Sequence, residues 1–162
     1  MALYQDIRPT IKSGDILAWS HRSWSSWYDL QIQAVRFVTQ SEYCHVGVAW
    51  VISGRVFVIE AVTPKVRIYP LSKLLPFYLI PIVTPWTPDS EEFALAQVGG
   101  EYSKLQAIQS FFGKPDFDEL WQCAELTAKI SEKNGIYLGE KYTPSSIVEN
   151  ALDYSTGLIL VK

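Results

Sequence analysis

The sequence predicts a single α+β domain spanning residues 1–162, with a central antiparallel sheet packed against helices. Two observations lead to this prediction. Short runs rich in β-branched and aromatic residues, separated by turn residues, dominate the chain between residues 45 and 83. Helix start and stop signals dominate the second half. Such segregation is typical of the α+β class, and 162 residues are enough for one domain with a core.

Six β-rich runs bounded by turn residues are predicted to be strands. They lie at residues 16–19, 45–51, 55–62, 66–69, 79–83 and 158–161. The second and third runs are joined around Ser53-Gly54, which predicts a β-hairpin.

Helices are predicted from apolar spacing, N-cap residues and stop signals. They are expected from Leu30 to about Thr39, from Pro88 (capped by Thr87) to the stop at Gly99-Gly100, from about 119 to 133 before Asn134-Gly135, and from Pro144 onward, with 102–112 as a further candidate.

Composition and charge limit the classes of function. A net charge of −3 and a pI near 5.4 give no reason to expect nucleic acid or an anionic membrane as a partner. The most apolar run, LLPFYLIPIV at 74–83, is interrupted by two prolines and is too short to cross a bilayer, so no transmembrane segment is expected. The N-terminus has no secretory-signal pattern, which favours the cytoplasm; a phage-encoded protein, or export by a partner system, is the alternative.

The hairpin places a histidine and a glutamate on one face of the predicted sheet. A turn at Ser53-Gly54 sets Val51 opposite Val56, and hence Gly47 opposite Glu60. His45 is then a diagonal neighbour of Glu60, and Gly47 leaves room between them. A carboxylate on one imidazole nitrogen fixes the tautomer and leaves the other nitrogen free to take a proton. A structural His–Glu pair is the alternative interpretation.

Cys123 is the candidate nucleophile that this pair could activate. It follows an acidic segment, residues 117–120, typical of a first helical turn. A thiol at a helix start ionises more easily than a free one. The alternative is a packing role, since free cysteines are commonly buried. Cys44 is predicted to pack, because neighbouring strand residues point to opposite faces and His45 takes the other face.

No cofactor and no metal are expected. The two cysteines are too few for a disulfide framework. A zinc site at Cys44, His45 and Cys123 would need two sequence neighbours to converge and lacks any Cys-x-x-Cys spacing.

Four segments resemble, in order and spacing, the circularly permuted papain-like branch (YiiX-like) of the NlpC-type cysteine peptidase superfamily. They are SGDIL at 13–17, SEYCHVGVAW at 41–50, VFVIEAV at 56–62 and QCAELTAKI at 122–130. Val98 to Tyr102 is similar to the family's Gly-x-x-Tyr segment. In this branch the histidine strand precedes the cysteine helix, as it does here. One departure is Ala124, where the family often has serine.

The resemblance implies a permuted papain-like fold and an activity. Cys123 would be the nucleophile, His45 the general base and Glu60 the residue that orients His45. The family acts at amide, ester or thioester carbonyls, so a thiol hydrolase such as a cell-wall peptide amidase or peptidase is implied. An acyltransferase or lipid-acyl hydrolase, and a lipid- or peptide-binding module without catalysis, are the alternatives.

Substrate-binding residues are predicted beside this triad. Gln122, or a group from the 20–28 loop, would supply the second oxyanion donor next to the Cys123 N–H. The aromatic residues at the end of the first strand and just after it, Trp19, Trp24, Trp27 and Tyr28, would form one wall of the groove. A peptide, peptidoglycan or lipid-amide substrate fits such a wall, and the oligomeric state is left open.

Overall fold

A six-stranded antiparallel sheet forms the centre of the protein. The structure is a computed structural model, and it describes residues 1–20, 42–101 and 122–162. The strands are β1 (Ile16–Trp19), β2 (His45–Ile52), β3 (Arg55–Val62), β4 (Lys65–Pro70), β5 (Phe77–Ile80) and β6 (Ile159–Val161). Their order across the sheet is β4-β3-β2-β1-β5-β6, and all neighbours are antiparallel.

Four α-helices lie within the described ranges. They are α1 (Tyr4–Ile7), α2 (Pro88–Ala96), α3 (Cys123–Lys133) and α4 (Pro144–Leu152), with short 3₁₀ turns at Arg8–Thr10 and Leu71–Lys73. Within these ranges, no helix combines the length and the apolar character needed to cross a membrane.

The sheet buries apolar side chains on both faces. On one face, the α3 residues Leu126 and Ile130 pack against Val48 of β2 and Ile59 of β3. Residues of α4 continue this layer over β1 and β5, and the N-terminal segment packs on the opposite face. The alternation of strand side chains puts Val48 and Ile59 under α3 and leaves the intervening residues for the other face.

The predicted α+β architecture, with an antiparallel sheet against helices, is confirmed. The hairpin turn has positive φ at Ser53 and Gly54, as a two-residue turn requires. The caps at Thr87 and Thr143 are both present, and each threonine accepts a hydrogen bond from a backbone N–H three residues on.

Three predicted boundaries were wrong. The fifth strand spans Phe77–Ile80 and not 79–83, because Pro81 has no N–H to donate to a neighbouring strand. The helix predicted from 119 begins at Cys123, since Gln122 is extended. The helix after Thr87 ends at Ala96, ahead of Gly99. The helices predicted at 30–39 and 102–112 lie outside the described residues.

Candidate active site

His45 and Glu60 form a short hydrogen bond at one end of the hairpin. The His45 Nε2 and Glu60 Oε2 atoms are 2.7 Å apart. Glu60 is buried, with 2% of its surface exposed, whereas the imidazole is 20% exposed. Because an ionised carboxylate only accepts, Nε2 carries the proton and Nδ1 is the nitrogen left to act as a base.

The register of the hairpin produces this contact. The β2–β3 pairs run from Ile52–Arg55 to Val48–Ile59, as the sequence predicts. Continuing that register sets Gly47 opposite Glu60. A methyl group on Gly47 would lie 2.7 Å from Val58 Cγ2 and 3.3 Å from Glu60 Cβ. The space next to Glu60 therefore exists only because residue 47 has no side chain.

Glu60 has a second partner on the next strand. Arg67 of β4 is directly opposite Glu60 in the β3–β4 ladder. Its Nε and Nη2 atoms lie 2.9 Å and 2.8 Å from Glu60 Oε1. Each carboxylate oxygen thus has its own partner: one accepts from His45 and the other from Arg67.

Cys123 is the first residue of α3. Gln122 precedes it as an extended N-cap residue whose side chain makes no capping hydrogen bond. The first N–H groups of a helix have no partner within the helix and point toward its start. Cys123 is half-buried and packs against the α4 side of the sheet, while Gln122 is buried.

The β2–β3 ladder ends near the place where Cys123 meets the sheet. β2 continues beside β1 as far as the Trp19–His45 pair, but its ladder with β3 ends at Val48–Ile59. Backbone N–H groups alternate in direction along a strand, and Ala49 N–H donates toward the β1 side, to Asp15 O. Val46 N–H therefore points toward β3, beyond the end of the ladder, and it donates to the Cys123 sulfur.

This end of the ladder explains how Cys123 and His45 meet. The helix that carries Cys123 packs on one face of the sheet, whereas His45 shares the other face with Glu60. The side chains form a hydrogen bond with each other at the end of the β2–β3 ladder.

The charges of Cys123 and His45 stabilise each other. Burial raises the pKa of the Cys123 thiol, but the hydrogen bond and positive charge of His45, with N–H donors from Val46 and Ala124, lower it overall. Burial lowers the pKa of His45, but the hydrogen bonds and negative charges of Cys123 and Glu60 raise it overall. Both directions are those of a thiolate–imidazolium pair.

Glu60 is charged despite its burial. Burial raises the pKa of its carboxyl group, but His45 and Arg67 lower it below its ordinary value through hydrogen bonds and positive charge. A charged Glu60 is the form that stabilises a protonated His45.

The aromatic residues predicted to form a wall are only partly described. The Trp19 ring centroid lies 5.3 Å from that of His45, and its indole N–H donates to Leu74 O at 2.7 Å. Trp24, Trp27 and Tyr28 lie outside the described residues. Cys44 donates its S–H to Trp19 O at 3.1 Å, and neither Cys44 nor Cys123 is part of a disulfide.

Two contacts of the site were missed by sequence reasoning, that of Arg67 with Glu60 and that of Trp19 with His45. Arg67 was detectable, because a tight turn at residues 63–64 sets it opposite Glu60 once both strands are recognised. The contact of Trp19 with His45 was not detectable, because it depends on β1 pairing with β2 across 25 intervening residues, 20–44.

Comparison with known proteins supports the fold. No known sequence family matches the chain, and no curated protein matches its sequence. The crystal structure of the metalloprotein yiiX from Escherichia coli O157:H7 is similar, with a TM-score of 0.61 and 17% sequence identity over 93% of this chain and 96% of that chain. This protein therefore has a YiiX-like fold.

The yiiX protein is described as a metalloprotein, and a metal site needs several donor side chains that converge on one point. In residues 1–20, 42–101 and 122–162, no group of three or more His, Cys, Asp or Glu side chains is placed to hold one. The Glu60 oxygens face His45 and Arg67. The described donor set does not fit a metal ion.

Proposed function

We propose that this protein is a thiol hydrolase of the permuted papain-like type that cleaves an amide, ester or thioester bond. The observation that carries the proposal is a continuous chain of hydrogen bonds. The Cys123 thiol meets His45, and the other nitrogen of His45 meets the buried Glu60 at 2.7 Å. A nucleophile, a base and a group that orients the base are the three parts that thiol catalysis requires.

The reaction begins with the Cys123 thiolate, whose proton lies on His45. The sulfur attacks the carbonyl carbon, and the carbonyl electron pair moves to the oxygen. As the tetrahedral intermediate collapses, the bond to the leaving group breaks and His45 gives its proton to that group. The product is a thioester on Cys123.

Water completes the cycle. Neutral His45 takes a proton from water, and the resulting hydroxide attacks the thioester carbon. The acid leaves, and the sulfur departs as the thiolate beside protonated His45. Glu60, held as a carboxylate, stabilises the imidazolium formed in each half of the cycle.

The start of α3 supplies donors for the oxyanion. The Cys123 N–H belongs to the first turn, where the helix dipole favours negative charge. Gln122, or a group from residues 20–28, provides the second donor. Loss of one such donor reduces the rate by roughly 10²–10³-fold.

An acyl-enzyme trap tests this function. The parent would be mixed with a wall peptide, a lipid-linked amide and an activated ester, and intact mass spectrometry would follow adducts. We expect the acyl mass on the parent and on Cys44→Ser, and none on Cys123→Ala. His45→Ala should form the adduct at least about 100-fold more slowly, since general-base catalysis contributes that much.

The acceptor decides between hydrolysis and transfer. Release of the free acid assigns a hydrolase, and appearance of the acyl group on an added amine or alcohol assigns an acyltransferase. Undiminished turnover by Cys123→Ala would refute the mechanism, and the absence of an adduct with every probe would favour a binding module.

A further inference from the structure

Arg67 lies one hydrogen bond beyond the proposed triad. Two of its nitrogens converge on Glu60 Oε1 at 2.8–2.9 Å, while Glu60 Oε2 faces His45. Four groups are thus connected one after another, from the Cys123 sulfur through His45 and Glu60 to the Arg67 guanidinium.

The β3–β4 ladder fixes Arg67 in place. Arg67 and Glu60 are directly opposite each other, so their side chains share a face. Tyr69 is two residues further along β4 on that same face, and its ring lies 4.4 Å from Arg67 Cζ. The guanidinium is thus held between an aromatic ring and a carboxylate, although the side chain is 43% exposed.

In the proposed reaction, Glu60 needs a cationic partner at every stage, and His45 alone does not provide one. His45 becomes neutral each time it gives up its proton, and at that stage a buried carboxylate loses its cationic partner. A buried charge without a partner is costly, and it tends to take up a proton. Arginine stays charged throughout the physiological pH range, so it can remain the cationic partner of Glu60 while His45 is neutral.

We propose that Arg67 is a positioning residue that keeps Glu60 charged and directed at His45 Nε2 through both protonation states of the imidazole. The inference rests on the proposed function. Among the residues that the structure describes, the charged groups acting on Glu60 are His45 from β2 and Arg67 from β4, and those acting on His45 are Glu60 and Cys123 from α3.

The test is the pH profile of Cys123 alkylation by iodoacetamide, in a Cys44→Ser background. Without Arg67, Glu60 takes up a proton more readily, so protonated His45 loses part of the negative charge that stabilises it and the Cys123 thiolate loses part of its cationic partner. We therefore expect Arg67→Met to move the midpoint of the profile upward by roughly half to one pH unit. Arg67→Lys, which keeps the charge, should stay close to the parent.

Two controls separate this role from a general effect. Arg55→Met removes an arginine that also lies over an aromatic ring, that of Phe57, and its profile should match the parent. In a Glu60→Gln background, Arg67→Met should add little, because the guanidinium has lost the carboxylate through which it acts. If circular dichroism shows that Arg67→Met is not folded, Arg67→Gln, which removes the same charge, would be used instead.

The outcomes distinguish the two proposals. An unshifted midpoint in folded Arg67→Met or Arg67→Gln, with an activated thiol in the parent, would overturn the role of Arg67 alone. A parent thiol that is inert or has an ordinary pKa would overturn the proposed function first. A lowered stability with an unchanged pH profile would make Arg67 a structural residue only.

Discussion

Glu60 is the residue on which the whole site depends. It is 2% exposed and accepts hydrogen bonds from His45 and Arg67 on opposite sides. A buried carboxylate is tolerated only when such partners offset its desolvation. The sequence pointed to this requirement, because a charged residue ends the apolar run VFVIEA and the hairpin register brings a histidine within reach.

Replacing Glu60 by Gln tests this dependence. The amide keeps the shape but loses the charge, so Arg67 and protonated His45 lose a charged acceptor. We expect the free energy of unfolding in urea to fall by about 1–3 kcal/mol at pH 7. Glu132→Gln removes an exposed carboxylate paired with Lys129 and should change it by less than about 0.5 kcal/mol. Equal losses in the two variants would show that the buried charge of Glu60 stabilises the fold no more than an exposed one.

The difference in stability between the parent and Glu60→Gln should depend on pH. The pKa of Glu60 is lowered on folding from its ordinary value of 4.5, so its contribution to stability is present above that value. It is lost as the pH falls through the folded-state pKa. The stability gap between parent and Glu60→Gln should therefore narrow below pH 4.5. A gap that is constant down to acid unfolding would show that Glu60 is not a charged partner in the folded state.

At the scale of elements, the end of the β2–β3 ladder brings the cysteine and the histidine together. The hairpin and its register were predictable, since a two-residue turn fixes every pair that follows. The start of α3 was predicted about four residues too early, because acidic residues are typical of a first helical turn and two of them precede Cys123 in the sequence. The Val46 donor was not predictable, since it depends on where the β2–β3 ladder ends.

Gly47→Ala tests the packing of β2 against β3. The added methyl group would meet Val58 Cγ2 at 2.7 Å and Ile59 O at 3.0 Å, and a backbone oxygen cannot yield easily. We expect a loss of about 1–3 kcal/mol in the free energy of unfolding, and slower Cys123 alkylation because Glu60 moves away from His45.

A double variant identifies the cause of that loss. Val58→Ala removes the methyl group that the new side chain would contact. The combined variant should therefore lose less stability than the two single variants added together. Strict additivity would mean that the predicted clash does not occur.

At the scale of the whole molecule, the fold carries less information about function than the site does. A YiiX-like fold is shared with a protein that is only 17% identical, and folds host many functions. The α+β class followed from strand-rich and helix-rich halves of the sequence. The strand order could not be predicted from the sequence. β1 lies between β2 and β5, and this placement depends on packing between segments that are distant in the chain.

The rate of Cys123 alkylation against pH shows whether Cys123 and His45 form an activated pair. The parent and His45→Ala would be compared, both carrying Cys44→Ser. We expect the parent thiol to titrate well below the free-cysteine value of about 8.5, and His45→Ala to bring it back toward that value. A parent thiol with an ordinary or raised pKa, or a pKa that does not respond to the loss of His45, would contradict such a pair.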